Sequence, residues 1–360
     1  MSDPSTGTTQ TKAKPNKEGD GIMRTYKAMR VSEPGKLKLV ELPVSEPGPG
    51  QVRLRVEACG VCHSDTATVE GQFPGLTLPR VPGHEVVGRI EVVGPGVSNW
   101  KIGQRVGVGF FGGQDGECEP CQRGDFVNCL HPVIPGITTD GGYAEVMIAE
   151  ARALASIPDE LTSTDAAPLL CAGITTFNAL RNAGLRAGDL VAIQGVGGLG
   201  HLGIQFARRM GFRTVALGRG ADKEKLAKDL GAHTYIDTEV EDGAKALQRM
   251  GGADAILGTA PSGEAIASII EGLAVRGKLI VVGVAPDPIP VSTMPLIFGG
   301  RSIHGSLTGK AIDNQDTLDF SVLQNVRPMI ETLPLEQAAS AYARMMEGKA
   351  RFRMVLTMAQ

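Results

Sequence analysis

Three short stretches of the chain carry side chains suited to metal chemistry: Cys62-His63-Ser64-Asp65, Gly83-His84-Glu85, and Cys171. Two thiolates and one imidazole can hold zinc through three protein ligands, leaving the fourth tetrahedral position open, as a catalytic site requires. Taken singly, each reads better as a buried thiol or a satisfied histidine than as a ligand, and spacing alone leaves open whether they meet. The six cysteines are Cys59, Cys62, Cys118, Cys121, Cys129 and Cys171. With C-x-x-C spacing and no signal peptide, they point to metal or redox chemistry rather than disulfides.

A second constellation is Gly195-Val196-Gly197-Gly198-Leu199-Gly200, which satisfies G-x-G-x-x-G. The pattern is weak by itself in a chain with 48 glycines. Here it directly follows the apolar run Leu190–Gln194 and opens a helical stretch, His201–Met210, the context in which such a turn binds a dinucleotide. Glycines allow the tight turn and close backbone approach, and the helix start offers free N–H groups to the pyrophosphate. The next strand ends Ala216-Leu217-Gly218-Arg219-Gly220, without the acid that usually bonds unphosphorylated ribose. Arg can pair bidentately with a 2′-phosphate, which favours NADP over NAD. Arg219 as a solvated surface residue, with either cofactor bound, is the competing reading.

These groups need a scaffold, and the hydropathy pattern supplies two kinds. From Lys27 to Glu57 residues alternate as in half-buried strands, with Val52, Leu54 and Val56 facing one way and Arg53, Arg55 and Glu57 the other. The β character continues through Glu85–Val93 and Gln104–Phe111, giving an irregular, largely antiparallel β domain. Beyond Leu161, helical stretches alternate with apolar strand runs at Thr214–Leu217, Thr234–Ile236, Ala255–Leu257 and Leu279–Val282. Such alternation implies an α/β fold with a doubly wound parallel sheet covered by helices. A final helix, Gln337–Glu347, and strand, Phe352–Leu356, are expected to return to the first domain. The expected divisions are a disordered tail over 1–22, a catalytic domain over 23–175, a Rossmann domain over 176–310 and the return over 311–360.

At 360 residues the chain can bury two cores. A net charge of −3 gives no reason to expect nucleic acid or an anionic membrane as partner. No apolar run is long enough to span a bilayer. The polar N-terminus lacks the features of a secretory or mitochondrial leader, so the expected location is cytoplasmic.

The stretches Gly60-Val61-Cys62-His63-Ser64-Asp65, Gly83-His84-Glu85 and Leu170-Cys171-Ala172-Gly173, together with the Gly195–Gly200 turn, resemble the zinc-containing alcohol dehydrogenases of the medium-chain dehydrogenase/reductase superfamily. The resemblance runs from about Met23 to the C-terminus. It implies a GroES-like β-rich catalytic domain beside the Rossmann domain, with Cys62, His84 and Cys171 binding catalytic zinc. Glu85 would sit behind the metal and exchange with its water. Asp65 would accept the free N–H of His84, and Ser64 would bond the substrate oxygen and pass its proton outward. His63 and Arg353 would lie near the cofactor pyrophosphate, Lys223 would contact its ribose, and Phe73 and Phe110 would wall an apolar pocket. The implied reaction is reversible hydride transfer between NAD(P)(H) and a primary alcohol or aldehyde, in a homo-oligomer (tetramer or dimer).

Two departures from that pattern stand out. The family's second, structural zinc site uses four cysteines; Cys118, Cys121 and Cys129 match three, and Asp115 occupies the remaining place. Asp can ligate zinc, so an Asp115/Cys118/Cys121/Cys129 site competes with an empty loop or with His131 as fourth ligand. The relay histidine five residues after the first zinc Cys is replaced by Ala67, so protons would leave Ser64 through cofactor hydroxyls and water. His201, His233 and His304 read as structural or surface residues. Within the zinc branch a polyol dehydrogenase or specialised biosynthetic reductase stays open. Outside it, a zinc-free reductase of quinones or activated alkenes would not need the three ligands together, and a non-catalytic cofactor-binding protein would not need them intact.

Overall fold

A computed structural model describes residues 24–359. The expected disordered tail over 1–22 lies outside the described residues. The strands are β1 (Thr25–Val31), β2 (Leu37–Pro43), β3 (Gln51–Val61), β4 (Val86–Val93), β5 (Arg105–Val108), β6 (Val146–Glu150), β7 (Leu154–Ser156), β8 (Leu190–Gln194), β9 (Arg213–Gly218), β10 (Thr234–Asp237), β11 (Ala253–Gly258), β12 (Leu273–Val281), β13 (Ser302–Gly305), β14 (Ile330–Pro334) and β15 (Arg353–Thr357).

β3 is the spine of the first half. It pairs antiparallel with β4, β6 and β15, in a seven-stranded sheet ordered β14-β15-β3-β4-β5-β7 with β6 added on β3. Val52, Leu54 and Val56 are buried, as their alternation predicts. Arg53 does not follow that alternation: it is buried rather than solvated, because Glu46 and Glu91 both bond its guanidinium. The C-terminal β15 returns to this sheet, pairing Val355 with Gly60 and Met354 with Val61, the residue before Cys62.

The second half forms a six-stranded, all-parallel sheet in the order β10-β9-β8-β11-β12-β13, which reverses at β8. Ligands of such sheets bind at the carboxyl ends of the strands, where the order reverses. The Gly195–Gly200 turn leaves β8 at that point and leads into the helix Gly200–Arg209. β13 is a short edge strand that the apolar-run reading did not find.

Between the halves the chain runs through the helix Ser163–Pro168, a wide π-type turn over Leu169–Gly173, and the helix Ile174–Arg181. Thr162 caps the first of these, its hydroxyl accepting from Asp165 N. The wide turn carries Cys171 and is wholly buried. No helix among the described residues is long and apolar enough to cross a membrane.

Candidate active site

Cys62 ends the run of β3 and opens a single helical turn over His63–Asp65. His84 and Glu85 directly precede β4, and the wide turn delivers Cys171 from the other side. One donor atom from each of Cys62, His84, Glu85 and Cys171 falls within a sphere where all lie within 4.8 Å of one another. The two sulfurs are 3.8 Å apart. Two thiolates each about 2.3 Å from a tetrahedral zinc would stand about 3.8 Å apart, so the spacing fits the ion.

The donor atoms are also left free in the way a metal site requires. His84 Nδ1 lies 3.2 Å from Asp65 Oδ1, while buried His84 Nε2 has no hydrogen-bond partner. Burial opposes the imidazolium, but the Asp65 and Cys62 charges outweigh it and raise the His84 pKa well above its ordinary value. The hydrogen bond with Cys171 draws the Cys62 thiol well below its ordinary pKa, and the same contact holds the Cys171 thiol well above. Metal binding to such a pair requires thiolates, so it would release protons from these sulfurs.

Glu85 is completely buried, with one carboxylate oxygen among these donor atoms, and bonds Arg353, itself buried. Burial pushes the Glu85 carboxyl up to about 7, and the guanidinium works against that rise. Gly60 makes room for the carboxylate: a Cβ there would lie 1.8 Å from Glu85 Oε2. Asp65 Oδ2 accepts from Cys62 N at 2.9 Å and from the Tyr143 hydroxyl at 2.8 Å. Burial, reinforced by the Asp65 charge, keeps that phenol well above its usual pKa and therefore a donor.

A cleft of about 250 Å³ opens beside Cys62 and Cys171, and His63, Ser64, Phe110, Leu199 and Arg353 also line it. Phe110 packs edge-on against the His84 ring, centroids 5.2 Å apart. Ala172, Thr175, Val282 and Leu307 add to the largely apolar wall, and none of these was assigned to a pocket from the sequence. Phe73 is not among the lining residues: the chain turns back after Ala67, whose carbonyl accepts from Phe73 N at 3.2 Å, and the ring is left 37% exposed. In this structure Phe110, and not Phe73, is the aromatic ring that lines the cleft.

At the dinucleotide turn Gly195 has φ +90°, and a Cβ on Gly200 would meet Gly195 O at 1.9 Å. Val196 is buried, Gly197 is open, and a Cβ on Gly198 would lie 3.3 Å from the Arg353 guanidinium. Arg353 thus stands between the glycine turn and Glu85, a double contact that its expected place near the pyrophosphate did not foretell. At the end of β9 a Cβ on Gly218 would lie 2.6 Å from the Tyr235 hydroxyl, so that ring fills the space of a missing acid. Arg219 is exposed and makes no salt bridge among the described residues; Lys223 Nζ donates to its carbonyl at 2.8 Å.

The second cluster brings one donor atom each from Asp115, Cys118, Cys121 and Cys129 within 4.8 Å of one another, with Cys118 and Cys129 sulfurs 3.8 Å apart. His131 does not join these four. Its Nδ1 lies 2.8 Å from Asp115 Oδ2 and its side chain is mostly exposed. The remaining histidines are placed as read: His201 is buried, His233 Nδ1 accepts from Thr214 N, and His304 is exposed.

Two family models match the chain: the alcohol dehydrogenase GroES-like domain over residues 48–159, and the zinc-binding dehydrogenase over residues 198–322. Among curated proteins the chain is 43% identical to the alcohol dehydrogenase notN of Aspergillus sp. (strain MF297-2), over 94% of this chain and 99% of that protein. It is 45% identical to the alcohol dehydrogenase patD of Penicillium expansum, covering 93% and 98%. Among solved structures, an NAD-dependent alcohol dehydrogenase superposes with a TM-score of 0.86 at 28% identity, covering 92% of this chain and all of that one.

Proposed function

The chain belongs to the zinc-containing alcohol dehydrogenases of the medium-chain dehydrogenase/reductase superfamily, and from that premise we propose that it interconverts primary alcohols and aldehydes with NADP(H), using zinc held by Cys62, His84 and Cys171. The observation that carries this reading is the pair of sulfurs 3.8 Å apart beside a partnerless His84 Nε2, at the floor of a cleft shared with the glycine turn.

When bound, zinc supplies a Lewis acid that polarises a substrate oxygen, and the nicotinamide supplies the hydride chemistry. The chain's own residues supply the rest. Asp65 holds the proton of His84 on Nδ1, leaving Nε2 as the ligand atom. Ser64 lines the cleft beside Cys62 and binds the substrate hydroxyl, taking and returning its proton at Oγ. Ala67 offers no imidazole to take that proton further, so within this chain the relay ends at Ser64 Oγ. Phe110, Ala172 and Leu307 exclude bulk water and favour aliphatic or aromatic substrates over polyhydroxylated ones. Arg353 balances the buried Glu85 charge and faces the turn that receives the pyrophosphate.

The choice of NADP is supported by unpaired, exposed Arg219 and by Tyr235 occupying the place of a ribose-binding acid. A second zinc at Asp115, Cys118, Cys121 and Cys129 is supported by their convergence; on this reading two zinc ions are expected per chain, and one would empty the second site. Self-association, as a dimer or tetramer, is supported by the edge strand β13 and the exposed side chains of Ile297 and Phe298 nearby. The proposed location is the cytoplasm.

The test is a panel of benzaldehyde, a short aliphatic aldehyde and a polyol or sugar, each with NADPH and NADH and followed by nicotinamide absorbance. Aldehyde reduction faster with NADPH is expected. Turnover confined to the polyol or sugar would overturn the substrate reading, and faster turnover with NADH would overturn the cofactor reading.

A further inference from the structure

The hydroxyl of Tyr143 touches neither the cleft nor a ligand atom, yet its ring and its oxygen grip both segments that shape the metal site. The stretch 141–143 lies against 81–83, with backbone bonds from Gly141 N to Val81 O, Gly142 N to Gly83 O and Tyr143 N to Pro82 O at 2.8 to 3.0 Å. The ring is completely buried and presses on Gly83, directly before His84: a Cβ on Gly83 would lie 2.5 Å from Tyr143 Cδ1. From there the hydroxyl reaches Asp65 Oδ2 at 2.8 Å.

A carboxylate held through one oxygen by one donor can swing about its Cβ–Cγ bond. Asp65 has Oδ2 fixed by two donors from different segments, Cys62 N and the Tyr143 hydroxyl, which defines the plane of the group. That plane directs Oδ1 to His84 Nδ1 at 3.2 Å. A phenylalanine would fill the same buried space, so packing alone gives no reason for the oxygen. We propose that Tyr143 is a positioning residue for the catalytic metal: it orients Asp65, and through Asp65 it sets the direction of His84 Nε2. This rests on the reading that Cys62, His84 and Cys171 hold zinc.

Outer partners of a metal-bound histidine are typically worth 10- to 100-fold in affinity. Tyr143 acts one hydrogen bond further out, so its effect is smaller, about 3- to 10-fold. The test mixes the full-length zinc enzyme with excess chromophoric chelator and follows the release phase that Cys171→Ser abolishes. In Tyr143→Phe that phase is expected to run about 3- to 10-fold faster, and the visible ligand-field bands of the cobalt-substituted protein are expected to shift. Added to Asp65→Asn, Tyr143→Phe is expected to change release little further. Unaltered release and cobalt bands, with only a lowered melting temperature, would make the hydroxyl a structural bond and overturn the proposal. A full additional effect on the Asp65→Asn background would overturn the route through Asp65. If Asp65→Asn does not fold, the release rate and cobalt bands of Tyr143→Phe decide alone. Absence of the Cys171-dependent phase from the parent enzyme would instead overturn the zinc reading, and the proposal with it.

Discussion

Arg219 and Gly218 form a pair at the end of β9, one adding a charge and the other withholding one. With the Tyr235 hydroxyl over Gly218, a carboxylate cannot be restored there without moving the ring. A hydrogen-bonded charge pair contributes about 1.5–3 kcal/mol, and exposure lowers that value. Arg219→Ala is therefore expected to lower kcat/KM for NADPH about tenfold and to leave NADH within about threefold, measured with one aldehyde. Equal losses with both cofactors would mean that Arg219 reads no 2′-phosphate. At this scale the sequence was most legible where residue types are chemically rare: Cys62, His84 and Cys171 have few roles in combination. Tyr143 was not legible, because a tyrosine that donates one buried bond has the same local pattern as a core aromatic. Phe73 was placed by the resemblance alone; in the structure it follows a turn after Ala67 in which Gly71 has φ +67°.

The elements are joined by a few buried links, and His201 makes one that depends on pH. It lies in the first turn of the helix Gly200–Arg209, with Nδ1 2.9 Å from Gly197 O and Nε2 accepting from Met329 N at 3.2 Å. That pairing needs the neutral ring, since a proton on Nε2 would face the Met329 N–H. Burial, the largest cause, brings its pKa down to about 4, while an unfolded histidine titrates near 6.5. The unfolded chain thus takes the proton first, and stability present above about pH 6.5 is lost as pH falls toward 4. The limiting loss is roughly 3 kcal/mol. The melting temperature of the parent is expected to drop between pH 7 and pH 5 more steeply than that of His201→Asn; parallel profiles would remove His201 as the cause. The strand–turn–helix around Gly195 was legible because three signals coincide there. β13 was not, because Ser302-Ile303-His304-Gly305 is short, mostly exposed and only weakly apolar. The wide turn at Leu169–Gly173 was not legible either, since helical residues on both sides give no sign of an extra residue per turn.

Over the whole molecule, chemistry depends on the chain closing back on itself. Cys62 and His84 come from the β3–β4 region, Cys171 from the passage between the two sheets, and Arg353 from the strand that returns after the parallel sheet is complete. Composition and hydropathy could reveal two kinds of sheet, but contacts between residues separated by more than 100 positions carry no periodic signature. The return of β15 to β3 is what sets Arg353 beside both Glu85 and Gly198. The metal site is accordingly a product of the complete fold, and its function is best tested in the intact chain. The most direct measurement is zinc content taken together with NADPH oxidation by benzaldehyde, for the parent and for Cys171→Ser, each before and after chelation and zinc return. The expected result is that the parent loses activity on chelation and regains it with zinc, while Cys171→Ser holds one zinc fewer per chain and turns over at least about 10³-fold more slowly, a loss of about 4 kcal/mol in transition-state stabilisation. Full activity in a zinc-free parent, or in Cys171→Ser with its zinc content unchanged, would contradict the assignment of Cys62, His84 and Cys171 as the catalytic metal site.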